Sequence, residues 1–176
     1  DALAMKLLPV FRQQLQESED SFALALKMSI SGNIIDLGAH PGLEMSEAIR
    51  MVEEGLREKL DPLMIEKFSI AVRKARKILF LADNAGEIVL DRLLIEKLDP
   101  QKLTVAVRGE PIINDATMEN ARYAGIDTIC RVISNGVDTP GTVPEISSPE
   151  FQQYYNEADL LISKGQGNYE SLSNVR

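Results

Sequence analysis

The sequence predicts an α/β domain, a parallel sheet following a helical amino-terminal region. Three observations carry this. Apolar runs of strand length occur at 77–82, 103–107, 129–133 and 159–163. Amphipathic stretches near 87–98, 115–124 and 150–157 separate them. Residues 1–75, by contrast, read as helical. Strands alternating with helices of about ten residues build βαβ units, and these make parallel sheets.

Taken in order, the first helix lies near 2–18, where Ala4, Leu7, Leu8, Phe11 and Leu15 form one stripe. A second lies near 20–31 and a third near 44–59. Gly32, Gly38 and Gly42, with Pro41 beside the last, break the chain between them. A fourth, near 62–75, carries Leu63, Ile65, Phe68, Ile70 and Val72, with Lys74, Arg76 and Lys77 at its carboxyl end. The run 78–82 is apolar throughout, as in a strand covered on both faces. The resulting division is a helical region, 1–75, and an α/β core, 76–176. No internal repeat or low-complexity tract stands out. Asp1 is not an initiator, the first stripe begins in the first turn, and Arg176 falls a few residues into a new helix. The sequence is therefore expected to be part of a longer protein, truncated at both ends.

With 176 residues, 44% of them hydrophobic, the chain is large enough to bury a core. Its 19 basic and 27 acidic residues give a net charge of −8, spread without long blocks of one sign. That balance argues against nonspecific nucleic-acid binding, which needs cations to neutralise phosphates. A small anion is still admissible, because a metal or a few local cations override the global sign. One cysteine, Cys130, excludes an internal disulfide framework and fits a reducing compartment. No run approaches the roughly 20 apolar residues that span a bilayer. A cytoplasmic protein with no membrane partner is the expectation.

The most informative segment is Lys77-Ile78-Leu79-Phe80-Leu81-Ala82-Asp83-Asn84-Ala85-Gly86-Glu87. An apolar strand ends on an acid and an amide, and a glycine then opens a helix. Ligands of open parallel sheets sit beyond the carboxyl ends of the strands. The other strands run into Arg108-Gly109-Glu110-Pro111-Ile112-Ile113-Asn114-Asp115, Ser134-Asn135-Gly136-Val137-Asp138-Thr139-Pro140-Gly141-Thr142, and Ser163-Lys164-Gly165-Gln166-Gly167-Asn168-Tyr169-Glu170. In a parallel sheet these four polar, glycine-rich loops gather on one edge.

Each residue has a bland reading beside the functional one. Asp83 and Asn84 are suited to capping the helix near Gly86, and Asp115 to capping the next. As an alternative, two carboxylates and an amide on one edge offer hard oxygen ligands to a divalent cation such as Mg²⁺ or Mn²⁺. Lys164 is either a solvated strand-end lysine or a phosphate-binding cation, aided by the backbone N–H groups of Gly165, Gln166, Gly167 and Asn168. Arg108 is either a substrate clamp or the partner of Glu110. Asn135 and Gly136, on the third loop, complete the candidate substrate contacts. Glu87, in a first helical turn, suits the helix dipole and reads as structural. His40 lacks the second histidine that a zinc site or a triad would need. Cys130 reads as a buried strand residue, and Tyr154 and Tyr155 as helix packing. Gly165-Gln166-Gly167 lacks the last glycine of a dinucleotide loop, because Glu170 stands there.

Taken together, LADNAGEIVLDRLLIEKL (81–98), VRGEPIINDAT (107–117), ISNGVDTPGT (133–142) and ISKGQGNYESL (162–172) resemble the damage-control phosphatases. SGNIIDLG (31–38) fits the helical region that precedes them. The resemblance is to the prokaryotic and archaeal branch of these metal-dependent phosphatases, first catalogued as a domain of unknown function. It implies a Rossmann-like, mostly parallel sheet behind a helical amino-terminal part. It also implies that Asp83, Asn84 and Asp115 bind one divalent cation (Mn, Co, Ni or Mg) and that Lys164 contacts the substrate phosphate. Asp83, Asp115 and Lys164 are then the catalytic set.

The expected activity is hydrolysis of phosphate monoesters of small metabolites: sugar phosphates, damaged phospho-metabolites or nucleotides. A metal-activated water is favoured over direct attack by an aspartate, because a coordinated carboxylate is a poor nucleophile. An amide at position 84 lowers the negative charge of the site by one relative to a carboxylate, so a phosphate is less repelled. The alternatives are a non-catalytic phospho-metabolite or nucleotide-binding module, and a transferase on the same scaffold. The sequence sets no oligomeric state.

Overall fold

The computed structural model describes residues 2–34 and 44–173. Gly38, His40, Pro41 and Gly42, and the end of the chain at Arg176, lie outside the described residues.

The helical part comprises α1 (Ala2–Glu17), α2 (Ser21–Ser31), α3 (Met45–Arg57) and α4 (Pro62–Lys74). Its starts are written locally. The Asp20 carboxylate accepts from the Ala23 N–H at 2.9 Å, and that of Asp61 from Leu63 N–H at 2.9 Å, with Pro62 in the first turn. The expected stripe of α1 is buried, whereas Pro9, within the same helix, lies on its exposed face.

The core comprises β1 (Ile78–Leu81), α5 (Glu87–Ile95), β2 (Leu103–Val107), α6 (Met118–Tyr123), β3 (Arg131–Ser134), α7 (Pro149–Glu157), β4 (Leu160–Ser163) and α8 (Gln166–Leu172). The four strands form one parallel sheet in the order β3-β2-β1-β4, with Ile78 paired to Leu103 on one side and Leu160 on the other. The chain thus builds outward from β1 to β3, then crosses back to add β4 on the opposite side. That reversal opens a crevice at the carboxyl ends of β1 and β4, where open α/β sheets bind their ligands.

Both faces of the sheet are covered. Ile78, Phe80, Leu103, Val105 and Val107 face the larger core shared with α1, α2 and α5. Leu79, Leu81, Ala106 and Ile133 face the smaller one, filled by Phe151 of α7 with Tyr154 and Tyr155 against it. The reading of the two tyrosines as packing therefore holds. Among the described residues no helix is long and apolar enough to cross a membrane.

Three local expectations are corrected. The third strand starts two residues later than its apolar run, at Arg131. Gly125 (φ +69) opens a short 3-10 turn at Ile126–Thr128 that Ile129 and Cys130 close by donating to the Ile126 carbonyl. Cys130 thus sits half-buried before the strand rather than inside it, and burial pushes its thiol up to about 11. The helix expected from 115 starts only at Met118: Asn120 Oδ1 accepts from the Thr117 N–H at 2.9 Å and from its hydroxyl at 2.8 Å. Thr117 heads that helix, and Asp115 is not its cap.

Candidate metal and phosphate site

The N-cap of α5 is Gly86, without a side-chain cap, so neither Asp83 nor Asn84 is spent on capping it. The loops after β1 and β2 are stitched together instead. Ala116 N–H donates to the Asp83 carbonyl at 2.7 Å and Ala85 N–H to that of Asn114 at 2.8 Å, with Asn84 and Asp115 bridged antiparallel between them. Backbone pairing places Asp83, Asn84 and Asp115 side by side. Ile113, a β-branched residue at φ +49 and 87% exposed, turns the second loop into this pairing at the cost of local strain.

Each of the three side chains is oriented by a partner. Asn84 Nδ2 donates to Asn33 Oδ1 at 3.1 Å, so that its other amide atom, the carbonyl oxygen, is left as a potential ligand. Asp115 Oδ2 accepts from Arg108 Nε at 2.6 Å. Arg108 is itself buried and donates onward to Thr142 Oγ1 (3.2 Å) and Asn168 Oδ1 (3.0 Å). It is Asp115, not Glu110, that pairs with this arginine. The Asp83 carboxylate lies over Gly165, where a Cβ would come within 2.0 Å of it. Burial and then the Asp115 charge raise the Asp83 pKa, against the lowering effects of Arg108 and Lys164.

These observations fit a divalent cation. Two acids facing each other under partial burial repel, and a cation between them relieves that repulsion. Among the described residues no three His, Cys, Asp or Glu side chains gather as a metal cluster. Two carboxylates and an amide oxygen on one edge are a set of donors suited to hard cations.

Lys164 reaches the same edge from the end of β4, but its ammonium is already engaged. It contacts Asp91 Oδ1 at 2.6 Å, Glu87 Oε1 at 2.5 Å and Ser29 through its carbonyl (2.9 Å) and hydroxyl (3.1 Å). Asp91 and Glu87 hold its pKa above the usual lysine value, against burial, which lowers it.

The remaining candidates build the loops. Asn168 is buried, donating to the Ala82 and Lys164 carbonyls at 3.2 and 2.8 Å while its Oδ1 accepts from Arg108 and Thr142. Asn135, also buried, accepts from Gly109 N–H at 2.9 Å and Val137 N–H at 3.1 Å, and its Nδ2 has no partner. Gly136 (φ +77) packs on Ser148 and Gly167 on Gly141, while Gln166 is exposed and donates to Glu170 at 2.6 Å. Asp83, Asn84, Asp115, Arg108, Lys164, Gly165 and Asn168 therefore form one connected cluster, with Asn135, Gly136 and Gln166 at its margin.

A family profile described as the damage-control phosphatase ARMT1-like domain matches residues 1–176. The chain belongs to this family. It is 35% identical to a damage-control phosphatase of Pyrococcus horikoshii over 99% of its own length and 60% of that protein. Against a damage-control phosphatase of Archaeoglobus fulgidus the identity is 37%, over 97% of this chain and 60% of the relative. An uncharacterised protein of Methanocaldococcus jannaschii is also 37% identical, over 97% of this chain and 58% of that one. A crystal structure of a DUF89 family protein from Pyrococcus horikoshii superposes with a TM-score of 0.87 at 34% identity, covering 99% of this chain and 61% of that one. The chain thus spans about three fifths of the length of these relatives.

Within this ARMT1-like domain, sequence reasoning passed over Asn33, Asp91, Ser29 and Thr142, and gave Glu87 only a dipole role. Asp91 did leave a signal. It is an acid four residues after Glu87 in a helix otherwise apolar but for Arg92, and both acids are buried. Ser29, Asn33 and Thr142 left none, since small polar residues of α2, the turn after it and a loop look like any others.

Proposed function

We propose that this domain is the catalytic core of a metal-dependent phosphatase that hydrolyses phosphate monoesters of small metabolites. The observation that carries the reading is the alignment of Asp83, Asn84 and Asp115 by loop-to-loop backbone pairing, with Arg108 buried behind Asp115. The naming of two relatives as damage-control phosphatases supports it.

Asp83, the Asn84 carbonyl oxygen and Asp115 would hold a divalent cation (Mg²⁺, Mn²⁺, Co²⁺ or Ni²⁺), which supplies charge neutralisation at a phosphoryl oxygen and acidifies a bound water. The protein's part is positioning. Arg108 holds Asp115 in one rotamer, and Gly165 leaves room for the Asp83 carboxylate. Lys164 and the N–H groups of its loop would add positive charge on the edge where the phosphoryl oxygens gain negative charge. In the reaction, water oxygen bonds to phosphorus and the ester P–O bond breaks. One water proton passes to the ester oxygen and the other stays on the phosphate, so that an alcohol and inorganic phosphate leave.

Room for the alcohol lies next to the site. Asn33, the partner of Asn84, also lines a cavity of about 280 Å³ between α2 and α3 with Lys27, Ile30, Gly55 and Leu60. That size suits a small metabolite, and among the described residues no aromatic ring lines the cavity to stack a base.

The test is phosphate release from a panel of phosphate esters, using metal-stripped protein with each cation added back. Release that requires added metal and is lost in Asp83→Ala supports the proposal. A second reading is a phosphate-binding module without turnover, in which Lys164, engaged by Ser29, Asp91 and Glu87, takes no part in a reaction. It predicts ester binding without release under every metal.

A further inference from the structure

The charges buried behind the metal loops do not balance. Two carboxylates, Glu87 (2% exposed) and Asp91 (0%), face one ammonium, Lys164. Each carboxylate spends one oxygen on that lysine. Among the described residues the other two, Glu87 Oε2 and Asp91 Oδ2, are buried without a partner. An uncompensated buried charge is costly, and taking up one proton removes it.

The geometry says which acid takes it. Asp91 Oδ1 accepts from both Lys164 and the Ser29 hydroxyl, at 2.6 and 2.5 Å, so hydrogen bonds favour its ionised form. Among the described residues Glu87 accepts from Lys164 alone. The charged groups acting on Glu87 are Asp91 on its own helix, Lys164 beyond β4 and Asp83 beyond β1. On the α2 side Gly32 packs against it, so near that a Cβ there would lie 3.2 Å from Glu87 Cγ. Burial first, and then Asp91, push the Glu87 carboxyl up to about 7.

We infer that Glu87 and Asp91 are positioning residues that hold Lys164 beside Asp83, and that a proton on Glu87 Oε2 decides whether this edge accepts a dianion. The inference rests on the phosphatase reading for the identity of the anion. With the proton present, the three side chains sum to zero and do not oppose a phosphate. With it gone they carry one net negative charge, which opposes the phosphate.

Sulfate is the probe, because it stays dianionic from about pH 6 to about pH 8.5, so any pH dependence belongs to the protein. Sulfate affinity is measured by calorimetry at constant Mg²⁺ in the full chain and in Glu87→Gln, an uncharged isostere of the protonated acid. Wild-type affinity is expected to fall about tenfold or more across that range, whereas Glu87→Gln holds the low-pH value throughout. A parallel fall in both proteins, or no sulfate binding at any pH, overturns the inference. Should the variant not fold, the ¹³C shift of the wild-type Glu87 carboxyl decides: titration near neutrality supports the inference, titration in the ordinary carboxylate range overturns it. Absent turnover with the sulfate response intact removes the phosphatase reading alone. Turnover with Glu87→Gln tracking wild type removes only the role of Glu87.

Discussion

Arg108 Nε lies 2.6 Å from Asp115 Oδ2, in a pair whose side chains are 3% and 10% exposed. The same guanidinium binds Thr142 and Asn168, so one side chain ties the second, third and fourth loops to a candidate metal ligand. Removing it strands a buried carboxylate. Arg108→Met is expected to lower unfolding free energy by about 3 to 5 kcal/mol in urea titrations. Metal affinity, read by calorimetry, should weaken in the same variant.

Gly165 sits at φ +81 with the Asp83 carboxylate where a Cβ would go. Gly165→Ala should therefore displace Asp83 and weaken metal binding by about tenfold or more, alongside the strain of a left-handed alanine. Gly167→Ala is the control, since its Cβ would meet nothing closer than 3.1 Å. Equal metal affinity in the two variants would show that Asp83 is not a ligand.

Asn84 donates to Asn33, which leaves its carbonyl oxygen as a candidate ligand. Asn84→Asp adds a negative charge beside the phosphate and loses that donor. KM should rise several-fold while metal affinity stays level or improves. The reverse order would refute the charge argument.

Stability should depend on pH through Glu87. Its folded-state pKa, about 7, is raised from 4.5, so the folded protein binds the proton more tightly than the unfolded chain does. The stability it contributes is fully present below pH 4.5 and is lost as pH rises towards 7. The wild-type unfolding free energy from urea titrations should fall across that window, and that of Glu87→Gln should fall less, by up to about 1.4 kcal/mol per pH unit.

Gly55 lines the cavity beside Asn33 from within α3. Gly55→Leu should fill part of that space while gaining up to about 1 kcal/mol of helix propensity. KM for esters of bulky alcohols should rise more than for the smallest ester, with Tm unchanged or higher. A uniform change would place the alcohol elsewhere.

Much of this was legible from the chain because its causes are local. Strand-length apolar runs, the α1 stripe and polar loops after each strand all arise from periodicity, and β1 and β2 lie where their runs predicted. Cys130 misled because a buried turn residue and a strand residue are equally apolar. Asp115 and Asp83 stayed ambiguous because a capping acid and a ligand acid have the same sequence signature. Only in three dimensions do Gly86 and Thr117 stand as the caps, so that neither acid is one.

By itself, then, the sequence determined the α/β class, the four loops on one sheet edge and the acids and amide they carry, since hydrophobic period and turn chemistry are properties of neighbouring residues. Tertiary structure alone decided the partners: Arg108 with Asp115, Asn33 with Asn84, and Lys164 with Glu87 and Asp91 across 77 and 73 positions. The physical reason is that burial and pairing of charge depend on distance in space, and separation along the chain carries no record of it.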